Sequence, residues 1–305
     1  MPLDQPDNEE VGKLPEPEPA KGKRKGKKAK AAKEEPKEMS FLEHLEELRG
    51  HIIRSISVIT VLGIALFFVK DWLFGTVIFG PSKGDFISYK VFCKLGQWFN
   101  AERTLCFSPP EFTTQAVGFA EAFVTAIKVS FIAGFIVAFP YVFWEFWKFI
   151  SPGLYDKERR AARGVVAVCT FLFLSGVAFG YFMIAPFAIS FLTNFTLPGV
   201  SNIPTLNSLI NYMVMFTLPT GLVFELPVVV YFLARIGLLS PETMKEYRRH
   251  SIVGILIVAA VITPPDVASQ ILVSGPLLVL YELSIFIARY ANKLHEKEVE
   301  GQEEA

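Results

Sequence analysis

The sequence predicts an all-α membrane protein with six transmembrane helices, and three observations carry that expectation. The first is composition: 51% of the 305 residues are hydrophobic and 14% aromatic, while only 20% are charged, against about 25% in ordinary soluble domains. The second is segment length. Apolar stretches run through 52–69, 119–150, 164–195, 209–233, 251–262 and 267–288, and the first four are long enough to cross a bilayer as helices. The third is charge placement in the short connections. Five basic residues lie in 148–163 and four in 235–250, whereas 196–208 has none. By the positive-inside rule the first two connections are cytoplasmic and the third is external. Six spans then leave both termini in the cytoplasm and make the segment of about 70–116 an external loop.

Ahead of the spans, 1–38 carries the charge that a formal net value of zero conceals, with seven Lys or Arg among residues 21–30. It has almost no large apolar residues, so it cannot offset the entropy of ordering and is expected to be disordered. It also lacks an apolar run, which excludes a cleavable signal peptide within it. Such a basic run could address nucleic acid, but beside a membrane span it reads as a cytoplasmic tail facing anionic lipid. The 291–305 segment is expected to be a second cytoplasmic tail.

A helix should start at Ser40, which has capping-box spacing to Glu43. Phe41, Leu42, Leu45, Leu48 and Ile52 share one face and Glu43 and Glu47 the other. That pattern predicts an amphipathic segment lying in the interface before the chain turns into the bilayer. At the other end of the chain the spans shorten. The twelve residues 251–262 rise about 18 Å against a hydrocarbon core of about 30 Å, and Pro276 is expected to interrupt the last span, so both should be too brief to cross unaided.

Catalytic chemistry has no foothold. The sequence lacks a phosphate-binding Gly loop, HExxH, G-x-S-x-G and any metal-spaced Cys/His set, so no enzyme, metal or cofactor is expected. What stands out are polar groups at unusual depth. Glu225 sits mid-span between Pro219 and Pro227; an isolated carboxylate there is costly unless paired, protonated or facing water, so it is either functional or a protonated packing group. The turn 263–270 places Asp266 and Gln270 one helical turn apart. Asp266 suits an N-cap, while Gln270, inside an apolar helix, would be stabilised by a partner helix. Glu282 could snorkel to the interface. Gly176 and Gly180 form a GxxxG whose simplest use is close packing within the chain. In 149–160, Glu158 stands among basic neighbours and by itself reads as a surface charge. Cys93 and Cys106 fall in the external loop, where an oxidising compartment favours a disulfide, with a chance pair of free thiols as the alternative; Cys169 should stay a buried thiol.

Taken together, His44 to Arg49 before the first span, Phe139-Pro140 and 147–160 around the second, Phe224-Glu225-Leu226-Pro227 in the fourth and 263–270 between the last two resemble the TatC family, the multi-spanning subunit of the twin-arginine translocase. The combination runs from Ser40 to about Tyr290. The resemblance implies six tilted helices in a cupped, concave arrangement within a bacterial inner membrane. It implies a cytoplasmic rim that binds twin-arginine signal peptides through Glu47, Leu48, Arg49, Phe149 and Glu158, supporting export driven by the proton motive force. It also implies functional roles for Pro81 and Pro140, a polar site in the concave face at Glu225, and contact with single-span TatA/TatB-type subunits near Asp266 and Gln270. Other copies of the chain and membrane lipids complete the expected partners; nucleic acid is not among them. The rival class is an ion-coupled secondary transporter, suggested by Glu225 among prolines, although no internal repeat relates the two halves.

Overall fold

The computed structural model describes residues 41–98, 106–110, 112–150, 156–199, 203–263 and 267–303, with backbone alone at 41–44, 156–163, 267–269 and 295–303. The chain divides after Phe41, and the account below concerns the unit Leu42–Ala305. The basic segment 1–38 and Asp266 lie outside the described residues.

Among the described residues the fold is helical apart from one isolated bridge. Helix α1 is Phe41–Phe68 and α2 is Ile87–Trp98 in the connection that follows. Next come α3, Glu121–Ile150, and α4, Asp156–Phe179, which passes through a π-helical turn, Gly180–Ile184, into α5, Ala185–Asn194. Then follow α6, Leu206–Val223, α7, Leu226–Arg235, the short α8, Pro241–Glu246, α9, Arg248–Ile262, and α10, Val267–Glu303. Among the described residues five helical stretches are long and apolar enough to cross a membrane: Leu45–Phe68, Glu121–Ile150, Gly164–Asn194, Leu206–Arg235 and Gln270–Leu294. The chain is therefore a multi-pass membrane protein.

Three expectations change. Helix α1 is continuous over 28 residues, so no turn separates an interfacial segment from a spanning one. The last helix is not brief: α10 runs 37 residues straight through Pro276. Proline there removes one backbone hydrogen bond, and neighbouring helices make that tolerable in a membrane bundle. The segment expected as a C-terminal tail continues this helix to Glu303. Of the six stretches expected to span, α9, at 15 residues or about 22 Å, is the one too short for a bilayer among the described residues.

Prolines set the irregular turns. Pro186 has no N–H for the Phe182 carbonyl, and its ring would strike that carbonyl in a regular helix; the wider turn Gly180–Ile184 precedes it. Pro81 likewise leaves the Val77 carbonyl without its helical donor, and the Tyr181 hydroxyl donates to that oxygen at 2.6 Å. Pro227 ends α6, so the chain breaks at Phe224 and Glu225 before α7 begins.

Packing follows small residues. A Cβ on Gly180 would lie 2.2 Å from the Phe216 carbonyl oxygen, and one on Gly176 would meet Gly221 Cα at 2.8 Å. The GxxxG therefore lets α4 and α6 touch backbone to backbone within one chain. The main core joins α5, α6, α9 and α10 through residues such as Ile184, Ala188, Met213, Phe216, Ala259, Val273 and Leu277.

Beyond α1 the connection is not a featureless loop. Cys93 and Cys106 are joined by a disulfide. Tyr89 donates to the Pro81 carbonyl at 2.6 Å and to that of Pro186 at 3.3 Å, and Phe107 packs edge-on against Phe187. Gln115 bridges to Thr205. The Glu121 carboxylate then accepts from the backbone N–H groups of Val117 (2.6 Å), Gly118 (2.9 Å) and Asn207 (2.9 Å), tying both connections at this end to the start of α3.

Candidate functional site

The richest polar cluster lies where the start of α1 meets the end of α3. Glu47, His51 and Arg54 stand at i, i+4 and i+7 on α1, so they share one face. Glu145 projects toward them from α3 and is 1% exposed. Its Oε2 accepts from His51 Nδ1 at 2.6 Å and Arg54 Nη1 at 3.2 Å, and its Oε1 accepts from Lys148 Nζ at 3.0 Å. Lys148 also sits 5.7 Å from the Trp144 ring centroid. A buried carboxylate is expensive without partners, and here it has three.

Glu47 is in a different state. Its Oε1 reaches only to 3.9 Å from His51 Nε2, beyond hydrogen-bond range. Its Oε2 is shut off from water with no hydrogen-bond partner among the described residues. Among the described residues, the basic groups on the same face of α1, His51 and Arg54, are engaged by Glu145, and the Glu47 carboxylate, its side chain 35% exposed, keeps hydrogen-bonding capacity unused. Phe149 flanks the cluster, its ring 6.4 Å from that of His51 in an edge-to-face arrangement. Leu48 is half-buried and Arg49 exposed on the same stretch of α1.

Sequence reasoning singled out Glu47, Leu48, Arg49 and Phe149, and the structure gathers them at one end of the bundle. It missed Glu145, His51 and Arg54. The signal was available: Glu145 interrupts an apolar and aromatic stretch, Phe143-Trp144-Glu145-Phe146-Trp147, just as Glu225 interrupts its own. Glu158 lies in the first turn of α4, but its side chain is outside the described residues. Pro81 belongs to the opposite end, beyond the far terminus of α1, and Pro140 lies within α3.

Glu225 occupies the break between α6 and α7. Both its carboxyl oxygens are buried without a hydrogen bond of ordinary geometry among the described residues, while the Cys169 thiol and the Phe173 backbone lie near them. Gln270 has the polar group of a neighbouring helix as partner: its Nε2 donates to the Leu256 carbonyl at 3.2 Å and links α10 to α9. Glu282 pairs with Arg248, so it is held in an ion pair. Among the described residues no group of His, Cys, Asp and Glu could hold a metal.

An acid-lined helix end on a multi-pass bundle fits several receptors or transporters, and comparison with known proteins decides between them. Residues 43–276 match the family of the Sec-independent protein translocase protein, TatC. The chain belongs to the TatC family. It is 41% identical over 263 residues to TatC of Blattabacterium sp. subsp. Periplaneta americana, covering 86% of this chain and 99% of that one. It is 36% identical over 266 residues to TatC of Desulforapulum autotrophicum, covering 87% and 90%. Two crystal structures of the twin arginine translocase receptor TatC, each 29% identical to this chain, superpose with TM-scores of 0.59 and 0.63. They cover 81% and 80% of this chain and 99% of each solved chain. TatC membership sets aside the ion-coupled transporter and places the chain in a protein-translocation machine.

Proposed function

We propose that the chain is the receptor core of a twin-arginine translocase in a bacterial inner membrane, with Glu47 and Glu158 accepting the paired arginines of signal peptides. The observation that carries the reading is the Glu47 carboxylate, which among the described residues keeps an unpartnered oxygen beside a neighbouring acid that has taken up the local basic side chains. A guanidinium presents a planar fork that a carboxylate accepts bidentately, so acids at this rim favour Arg-Arg over Lys-Lys. Leu48 and Phe149 supply apolar surface for the rest of the peptide, and Arg49 lies on the adjoining turn. The positive-inside distribution puts this end in the cytoplasm, where signal peptides arrive. Single-span TatA/TatB-type subunits and further copies of the chain complete the complex, the former beside α9 and α10 near Asp266 and Gln270, and the basic 1–38 segment meets anionic lipid. Export of folded cargo draws on the proton motive force.

The test is cross-linking of a twin-arginine signal peptide, and of its twin-lysine counterpart, to purified single and double variants. Glu158→Gln should abolish binding and Glu47→Gln should weaken it by about tenfold or more, as loss of a charge-assisted bond implies, with both variants still folded and inserted. An unchanged preference for Arg-Arg over Lys-Lys in the double variant would overturn the assignment.

A further inference from the structure

Helix α1 carries an acid followed by two basic side chains on one face, Glu47, His51 and Arg54. Left to itself such a stripe neutralises its own acid, because charged groups one helical turn apart pair readily. Glu145 prevents this. Its side chain is 2% exposed, whereas those of Arg54 and Lys148 are 55% and 45% exposed, so the carboxylate is the fixed point and the cations reach in to it. His51 is held through Nδ1 at 2.6 Å, which leaves Nε2 no closer than 3.9 Å to Glu47. Arg49, two residues beyond Glu47, falls on the other side of the helix and is exposed.

We propose that Glu145 is a positioning residue of the peptide site, which holds the protein's own basic groups so that the part-exposed Glu47 carboxylate stays unpaired by them and available to an incoming guanidinium. The inference rests on the assignment of Glu47 to peptide binding. Removing the Glu145 charge frees the His51 ring and the Arg54 fork, and the next acid along the same face is Glu47. The peptide's arginines must then displace an internal cation before they can bind. Affinity for the twin-arginine peptide falls, and its margin over the twin-lysine peptide narrows with it. Sequence alone hides this function, because 94 residues separate His51 from Glu145.

The experiment uses the full-length protein in detergent at low salt, a fluorescent twin-arginine signal peptide with its twin-lysine counterpart, and a thermal unfolding curve for every variant. Glu145→Gln is expected to weaken twin-arginine binding by about tenfold or more, as loss of charge-assisted recognition implies. Adding His51→Gln and Arg54→Gln to that variant should restore binding to within about threefold of wild type, a residual difference on the scale of weak pairwise contacts, because those two competitors are gone. A Glu145 that serves the fold alone gives the opposite pattern, with the triple variant binding no better than the single, and overturns the proposal. Where Glu145→Gln does not fold, the triple variant carries the test by itself, since a neutral set in place of buried ions is well tolerated. Wild-type-like binding then supports the proposal and lost binding overturns it. Glu47→Gln in the wild-type background separates the two layers. No effect there removes the Glu47 assignment and the inference built on it, whereas a clear effect there beside wild-type binding in Glu145→Gln removes the inference alone.

Discussion

At the scale of single residues, acids in apolar surroundings divide into two kinds. Glu145 is satisfied by three basic side chains, His51, Arg54 and Lys148; Glu225 is half-buried, and its carboxyl oxygens, shut off from water, have no hydrogen-bond partner of ordinary geometry among the described residues. A group left in that state costs stability, about 1–3 kcal/mol for a buried polar atom, and such costs concentrate where function needs them. Glu225→Leu should therefore raise the thermal unfolding temperature of the purified protein while lowering export of a twin-arginine reporter. Unchanged stability would mean that the carboxyl is already satisfied. Both acids were legible as interruptions of apolar stretches, yet only Glu225 drew attention. The aromatic residues around Glu145 made that segment read as the end of a span, and its partners on α1 are close only in three dimensions. The acceptor of Gln270 was hidden for the same reason: the Leu256 carbonyl belongs to another helix.

Helices and their seams form the next scale. The seam between α4 and α6 depends on glycine, since a methyl group on Gly180 would meet backbone that cannot move aside without separating the helices. Gly180→Ala should destabilise the protein by about 2–3 kcal/mol, as overpacking does. Gly254→Ala, on α9 with open space around the added carbon, should leave stability unchanged or raise it by less than about 1 kcal/mol. Thermal unfolding of both variants in detergent checks the contrast; equal losses would place the seam elsewhere. The spans themselves were legible because their signal is local: length and hydropathy located the long ones, and α9 is as short as expected. The continuity of α10 through Pro276 was not legible, because proline breaks an isolated helix but only bends or loosens one that its neighbours support. The unbroken passage of α1 out of its amphipathic start was hidden likewise. Periodicity tells which residues share a face, not whether the axis turns.

On the scale of the whole molecule, the end carrying α2 is built as a cap, and the end carrying Glu47 leaves that acid without a hydrogen-bond partner among the described residues. Of what the sequence predicts for it, this cap carries the Cys93–Cys106 disulfide. Its aromatic packing, through Tyr89, Phe107 and Tyr181, could not be read from a segment whose partners lie a hundred residues on. Replacing Cys93 and Cys106 with Ser should lower stability by about 3 kcal/mol, the loop-closure value for a ring of this size. A membrane-impermeant thiol reagent should label the wild-type pair in intact cells only after reduction; labelling without reduction would rule out the bridge. The Glu121 clasp adds a consequence in time. Two of its donors, Val117 and Gly118, are neighbours in sequence, but the third, Asn207, is 86 residues further along. A chain emerging from the ribosome therefore inserts α1 and α3 and must hold the cap half-fastened while α4 and α5 are made, and the final knot is tied only when the start of α6 arrives. The second half of the protein thus serves as the inspector of the first: a nascent chain that stalls before Asn207 leaves this end of the bundle without its last fastening.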